Sequence, residues 1–109
     1  MPYDIGLETR FDELFAEERA YRKKKMFGGI CYLKGGNMAF GIWRDRLIVR
    51  CGPERYRECL KKKHAALFDI TGKAMTGWVM VAPDGFEEDR ALKAWLKIGD
   101  AFASTLAPK

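Results

Sequence analysis

Serine and histidine are nearly missing from this 109-residue sequence, with Ser104 and His64 the sole examples of each. That scarcity removes most routes to a serine nucleophile, which needs a base within hydrogen-bond reach, and to metal ligation by imidazole. Cysteine is sparse as well. Cys31, Cys51 and Cys59 are odd in number and form neither a CxxC pair nor a disulfide framework, so they read as free thiols of a reducing compartment. Structural zinc would need four Cys or His ligands at close paired spacing, which these single residues do not offer. No apolar run approaches the roughly 18 residues that span a bilayer, and Met1 to Arg10 lacks the basic start and apolar stretch of a secretory signal. The expectation is a cytoplasmic protein with no membrane partner and no cofactor.

What is present is enough for one core. At 48% hydrophobic and 32% charged residues, the chain lies outside the composition that keeps a polypeptide unfolded, and its length suits a single domain over 1–109. The formal charge of +5 is unevenly placed. Between Lys23 and Lys73, thirteen Lys and Arg face only Asp45, Glu54, Glu58 and Asp69, while the flanks are net acidic. A basic middle between acidic ends attracts nucleic acid or an acidic partner, and it also arises from solvated surface lysines.

Leu7, Phe11, Leu14 and Phe15 fall on one helical face, among Asp12, Glu13, Glu17 and Glu18. This predicts a first helix stopping near Lys23-Lys24-Lys25, where cations suit a helix C-terminus. Three strands follow, Met26 to Leu33, Met38 to Trp43 and Arg46 to Cys51, rich in β-branched and aromatic residues. Their links, Lys34-Gly35-Gly36-Asn37 and Arg44-Asp45, are too short for anything but antiparallel pairing. In the third strand Leu47, Val49 and Cys51 alternate with Arg46 and Arg50, although Ile48 blurs the pattern. Gly52-Pro53-Glu54 opens a second helix, with Tyr56, Cys59 and Leu60 as its apolar stripe. Two more strands are read over Ala66 to Ile70 and Gly77 to Val81, parted by a turn at Thr71-Gly72-Lys73. Acids Glu87-Glu88-Asp89 open a last helix carrying Leu92, Trp95, Leu96, Gly99, Phe102, Ala103 and Leu106. The predicted fold is α+β and two-layer, a five-stranded antiparallel sheet covered by helices, in the order α-β-β-β-α-β-β-α.

The run Lys25-Met26-Phe27-Gly28-Gly29 resembles the signature opening the first strand of TfoX/Sxy N-terminal domains. Gly36-Asn37-Met38, Asp45 to Arg50, Gly52-Pro53, Phe68 to Gly72, Gly77-Trp78 and Ala101-Phe102 through Pro108-Lys109 continue the resemblance over nearly the whole chain. It implies an α+β domain of the order just derived and, for some members, regulation of competence genes. Longer members carry a second, C-terminal domain, which is not expected within these residues. The resemblance carries no catalytic motif.

Catalytic constellations are otherwise thin. A Cys59–His64 pair is conceivable, since Lys61, Lys62 and Lys63 lower a nearby thiol pKa, but Cys59 also fits as a small buried hydrophobe. Ser104 reads as a polar position near a helix end, and His64 as an exposed loop residue. Gly28-Gly29 and Gly35-Gly36 lie next to strands, whereas phosphate-cradling loops lead into a helix N-terminus. Glu87, Glu88 and Asp89 are accounted for by the helix macrodipole, and Asp69 and Thr71 by turn chemistry. Candidate partner or nucleic-acid contacts are Lys23, Lys24 and Lys25 with Arg44, Arg46, Arg50, Arg55, Arg57, Lys61, Lys62 and Lys63. Tyr32, Phe40 and Trp43 are placed in the core, away from any base-stacking role. The leading expectation is a non-catalytic regulatory module that binds a protein partner or a second copy of itself, the Arg46 to Cys51 strand or another edge pairing across a homodimer. The alternative is low-specificity nucleic-acid binding through the basic middle, and a third reading is an enzyme using Cys59 or Cys31.

Overall fold

In the computed structural model, which describes residues 3–14, 21–26, 28–69 and 72–108, the chain forms one antiparallel sheet with its helices on a single face. The elements are α1 (Ile5–Leu14), β1 (Tyr21–Met26), β2 (Gly29–Lys34), β3 (Asn37–Trp43), β4 (Arg46–Arg50), α2 (Tyr56–Leu60), β5 (Ala65–Leu67), β6 (Trp78–Val81) and α3 (Asp89–Ala103). A 3-10 turn over Pro83–Phe86 leads into α3. Strand order across the sheet is β1-β2-β3-β4-β6-β5, all neighbours antiparallel. Among the described residues no helix is long and apolar enough to cross a membrane.

Several expectations are corrected by this arrangement. The sheet has six strands rather than five, because the lysine run is not a helix C-terminus but part of β1, with Lys24 opposite Cys31 and Lys25 opposite Ile30. An edge strand needs no apolar alternation on its outer residues, and lysines there discourage pairing with other chains. The stretch read as one strand from Met26 to Leu33 is therefore two, turning at Gly28 (φ 76). Likewise β4 is no edge. Its backbone pairs with β3 on one side and β6 on the other, so it cannot pair across a dimer. The expected strand through Ile70 stops at Leu67, and α2 starts at Tyr56 rather than Pro53. Phe15, Glu17, Glu18, Phe27, Ile70 and Thr71 lie outside the described residues.

The core lies between the sheet and the helices. Ile30, Tyr32, Phe40, Leu47, Val49 and Val79 point to it from the strands, and Leu7, Phe11, Leu92 and Leu96 meet them from α1 and α3. Phe11 sits 5.2 Å from the Tyr32 ring and 5.5 Å from Phe40, in tilted and edge-on contacts worth about 0.5–1.5 kcal/mol each beyond their buried area. Asp4 starts α1 by accepting the Leu7 amide at 3.2 Å. Arg10 ties α1 to the start of α3 by donating to the Phe86 carbonyl (2.8 Å) and to Asp89 (3.1 Å).

Helix α3 lies directly on β3 at one point. A Cβ at Gly99 would run into the Ala39 carbonyl oxygen, and backbone cannot swing aside as a flexible side chain can. Alanine in a helix gains about 1 kcal/mol over glycine, whereas overpacking a closed contact costs about 1–3 kcal/mol. Gly99→Ala should therefore lower the urea-unfolding free energy by up to about 2 kcal/mol, despite its better helix propensity. A stabilised variant would show that α3 can lift away from β3.

Farther along α3, Asp100 accepts from Lys34 at 2.8 Å and from the Tyr21 hydroxyl. Burial alone would raise its pKa, but these two hydrogen bonds outweigh burial and hold it below the ordinary carboxylate value. With a lowered folded-state pKa, its contribution is complete above the unfolded value and is lost as pH falls through the folded one. Urea titrations below pH 4 should show stability declining in the wild type, with a smaller decline in Asp100→Asn.

Candidate functional site on the open face of the sheet

The sheet has a second face, and no described helix covers it. Strand register places Lys24, Cys31, Gly41, Ile48, Met80 and Ala66 in one row across it. On one side of that row Met26 pairs with Gly29 and Trp43 with Arg46. On the other, Arg22 pairs with Leu33, Leu33 with Met38, and Arg50 with Trp78. The chain after β5 folds over one end of this face, where Met75 donates to the Phe68 carbonyl at 3.2 Å and Phe68 stacks 6.0 Å from Trp78.

The result is a concave apolar surface enclosing about 430 Å³. Cys31 and Ile48 form its buried floor, and Met26, Leu33, Met38, Trp43, Met75 and Trp78 its walls. Gly41 explains the hollow. It faces the same side between Cys31 and Ile48, where a Cβ would come within 2.6 Å of the Ile30 carbonyl oxygen and 2.9 Å of the Met38 methyl. Lys24 and Arg50 are the charged residues lining it.

The candidate basic residues do not form one surface. Lys23 points to the helix side, where it bridges Glu8 (2.9 Å) and Asp12 (2.6 Å) of α1, and Lys25 shares that side by register. Arg44, in the β3–β4 turn at φ 57, lies 4.6 Å over the Trp43 ring. Arg46 approaches Asp45 only at 4.0 Å. Arg55 pairs with Glu58 at 3.1 Å, Arg57 is exposed on α2, and Lys62 lies 5.7 Å over Trp95, with Lys61 and Lys63 exposed beside it. Because α2 packs on β5 and β6, these last residues adjoin one edge of the sheet while the lysine run occupies the other, about 24 Å away at five strand spacings. Only Lys24 and Arg50 of the candidates line the hollow together.

Arg50 is held firmly there. Its guanidinium stacks 5.0 Å over Trp78 and 5.3 Å over Phe102, and partial burial lowers its pKa, with no carboxylate among the described residues paired to it to offset the cost. Trp43 was placed in the core by its strand position, yet it is half-buried at the rim of the open face, and Trp78 joins it. The uniform apolar run Leu47-Ile48-Val49 was the available signal, since a strand apolar on both sides covers something on each.

The residues weighed for nucleophilic or metal chemistry have structural occupations. Ser104 donates to the Asp100 carbonyl at 2.8 Å and accepts from Lys34 at 2.9 Å. His64 is exposed in a left-handed turn at φ 72. Burial pushes up the Cys31 thiol against the opposing charge of Lys24, and burial with the neighbouring Cys59 pushes Cys51 up to about 12. All three cysteines are buried. A thiol titration at pH 8 should accordingly find no rapidly reacting group in the native protein and three after denaturation, whereas one fast native thiol would restore a cysteine-based reaction.

No curated protein and no solved structure matches the chain. The family model described as the TfoX N-terminal domain matches residues 13–103, which span every strand of the sheet and all of α3. The chain therefore belongs to the TfoX N-terminal domain family.

Proposed function

We propose that this domain is a non-catalytic regulatory module that acts by docking a protein partner on the open face of its sheet. Membership of the TfoX N-terminal domain family fits a competence-type regulatory role at the level of the family. The observation that carries the docking surface is the uncovered apolar hollow between β1 and β6, walled by methionine and tryptophan. Methionine side chains repack readily around varied apolar partners, and a large exposed apolar patch marks an interaction site. Arg22, Lys24 and Arg50 stand on this face with no carboxylate in ion-pair distance among the described residues, which favours a partner whose apolar contact is flanked by acids.

Nucleic acid fits this face less well. Base stacking needs a free aromatic surface, but Arg44 lies over Trp43, and Trp78 is stacked by both Arg50 and Phe68. The lysine run on β1 and the basic residues of α2 lie at opposite edges of the sheet. A second copy docking face to face would set these cations against one another.

A photo-crosslinking residue at Met80, on the open face, should capture a discrete partner in cells, whereas the same residue at Lys93, exposed on α3, should not. Leu33→Glu should abolish that capture with its circular dichroism unchanged, and its transcript profile should match that of a deletion. Equal capture from both positions, or a deletion without effect on transcripts, overturns the reading. Binding of single- or double-stranded DNA at physiological salt, weakened by joint substitution of Lys61, Lys62 and Lys63 to Gln, would replace it with a phosphate-contacting surface.

A further inference from the structure

We infer that the hollow on the open face is also a small-molecule site, taking an amphipathic monocarboxylate whose apolar body lies over Ile48 and whose carboxylate meets Arg50. Its volume of about 430 Å³ falls in the range of about 300–1,000 Å³ typical of small-ligand sites. Such sites are mainly apolar with a few fixed polar groups, and this one pairs a floor of Cys31 and Ile48 with Lys24 at the β1 side and Arg50 at the end of β4.

Arg50 has the features of a carboxylate receptor. A guanidinium presents a planar fork of N–H groups that donates to two carboxylate oxygens at once, and stacking on Trp78 and Phe102 fixes its plane before any ligand arrives. Preorganisation lowers the entropy lost on binding. The guanidinium is partly desolvated and faces no acid among the described residues, so a bound anion relieves a cost already present in the fold. Lys24, across the hollow, adds attraction without a fixed geometry. By contrast, the helix-side cations Lys23 and Lys34 already hold carboxylates of α1 and α3.

Charge and shape together exclude other ligand classes. A cation would meet Lys24 and Arg50, a strongly hydrated polyanion would have to shed water against methionine and tryptophan, and a neutral lipid would leave Arg50 unmatched. An aliphatic or aromatic acid satisfies both the hollow and its charge.

The test uses decanoate, decanol and decyltrimethylammonium below their micelle concentrations, titrated into the full chain and followed by amide chemical shifts. Decanoate should saturate, moving the amides of Leu33, Met38 and Ile48, with decanol weaker by about tenfold and the ammonium probe without saturable binding. Arg50→Gln should weaken decanoate by about tenfold, Arg50→Lys and Lys24→Gln by less. Failure of decanoate to saturate, equal affinity for decanol, or shifts centred on the separate cleft at Pro53 and Thr105 overturns the proposal. Should Arg50→Gln fail to fold, the decanol comparison and Lys24→Gln decide the matter alone. Such a failure leaves partner docking standing, because crosslinking from Met80 reports on that independently.

Discussion

The close approach of α3 to β3 at Gly99 and Ala39 is the constraint on which the remaining geometry rests. It sets the height of the helix above the sheet, so that Leu92, Leu96 and Ala103 are sealed against the strands. From that seat Asp100 reaches Lys34 and Tyr21 toward one side of the sheet, and Trp95 lies beneath Lys62 on the other. The last turn delivers Phe102 to the end of β4, where it stacks on the Arg50 guanidinium. A contact buried on the helical side thereby fixes a charged group on the open one. Raising α3 by the width of a methyl group would loosen Arg50 as well as the core.

Charge is sorted by face. On the helix side, Lys23 meets Glu8 and Asp12, and Lys34 meets Asp100. Each of these partly exposed pairs is worth about 1 kcal/mol or less, and their larger effect is on orientation, since they define which helix lies over which strands. Tyr32 and Tyr3 join the same arrangement by donating to Asp12 (2.8 Å) and Glu8 (3.0 Å). Glu8 and Asp12 are thereby committed to docking α1, while Arg22, Lys24 and Arg50 are turned by their strand positions to the opposite face.

Much of this was legible in the sequence, and the illegible parts have physical causes. The α3 stripe from Leu92 to Ala103 and the hairpin at Gly35 and Gly36 were readable because periodicity and turn chemistry act locally. Strand β1 was not, because Tyr-Arg-Lys-Lys-Lys-Met carries a pattern that a helix terminus and a guarded sheet edge share. Choosing between them requires knowing that the residues of β2 need a partner on both sides. The open face was hidden for a related reason. Ile48 looked like a flaw in an alternating strand, and Trp43 like core, because a strand with two apolar faces does not say which face a helix will cover. The basic run was visible as composition, but its division between β1 and α2, at opposite edges, depends on the crossing of the chain from β4 to α2 and back through β5.

Those same edges narrow how the domain can associate. Strand addition at β1 would bring a second backbone alongside Arg22, Lys23, Lys24 and Lys25, and at β5 it would find only three residues to pair with. Face-to-face contact between two copies would oppose like charges over an apolar hollow, losing by repulsion part of what burial gains. An occupant that brings its own negative charge escapes both obstacles. The apolar walls supply affinity without direction, while Arg50, fixed between Trp78 and Phe102, supplies orientation. Selectivity for acidic, apolar chemistry on this face follows from leaving Lys24 and Arg50 without an ion-pair partner among the described residues, while Glu8, Asp12 and Asp100 meet cations on the helix side.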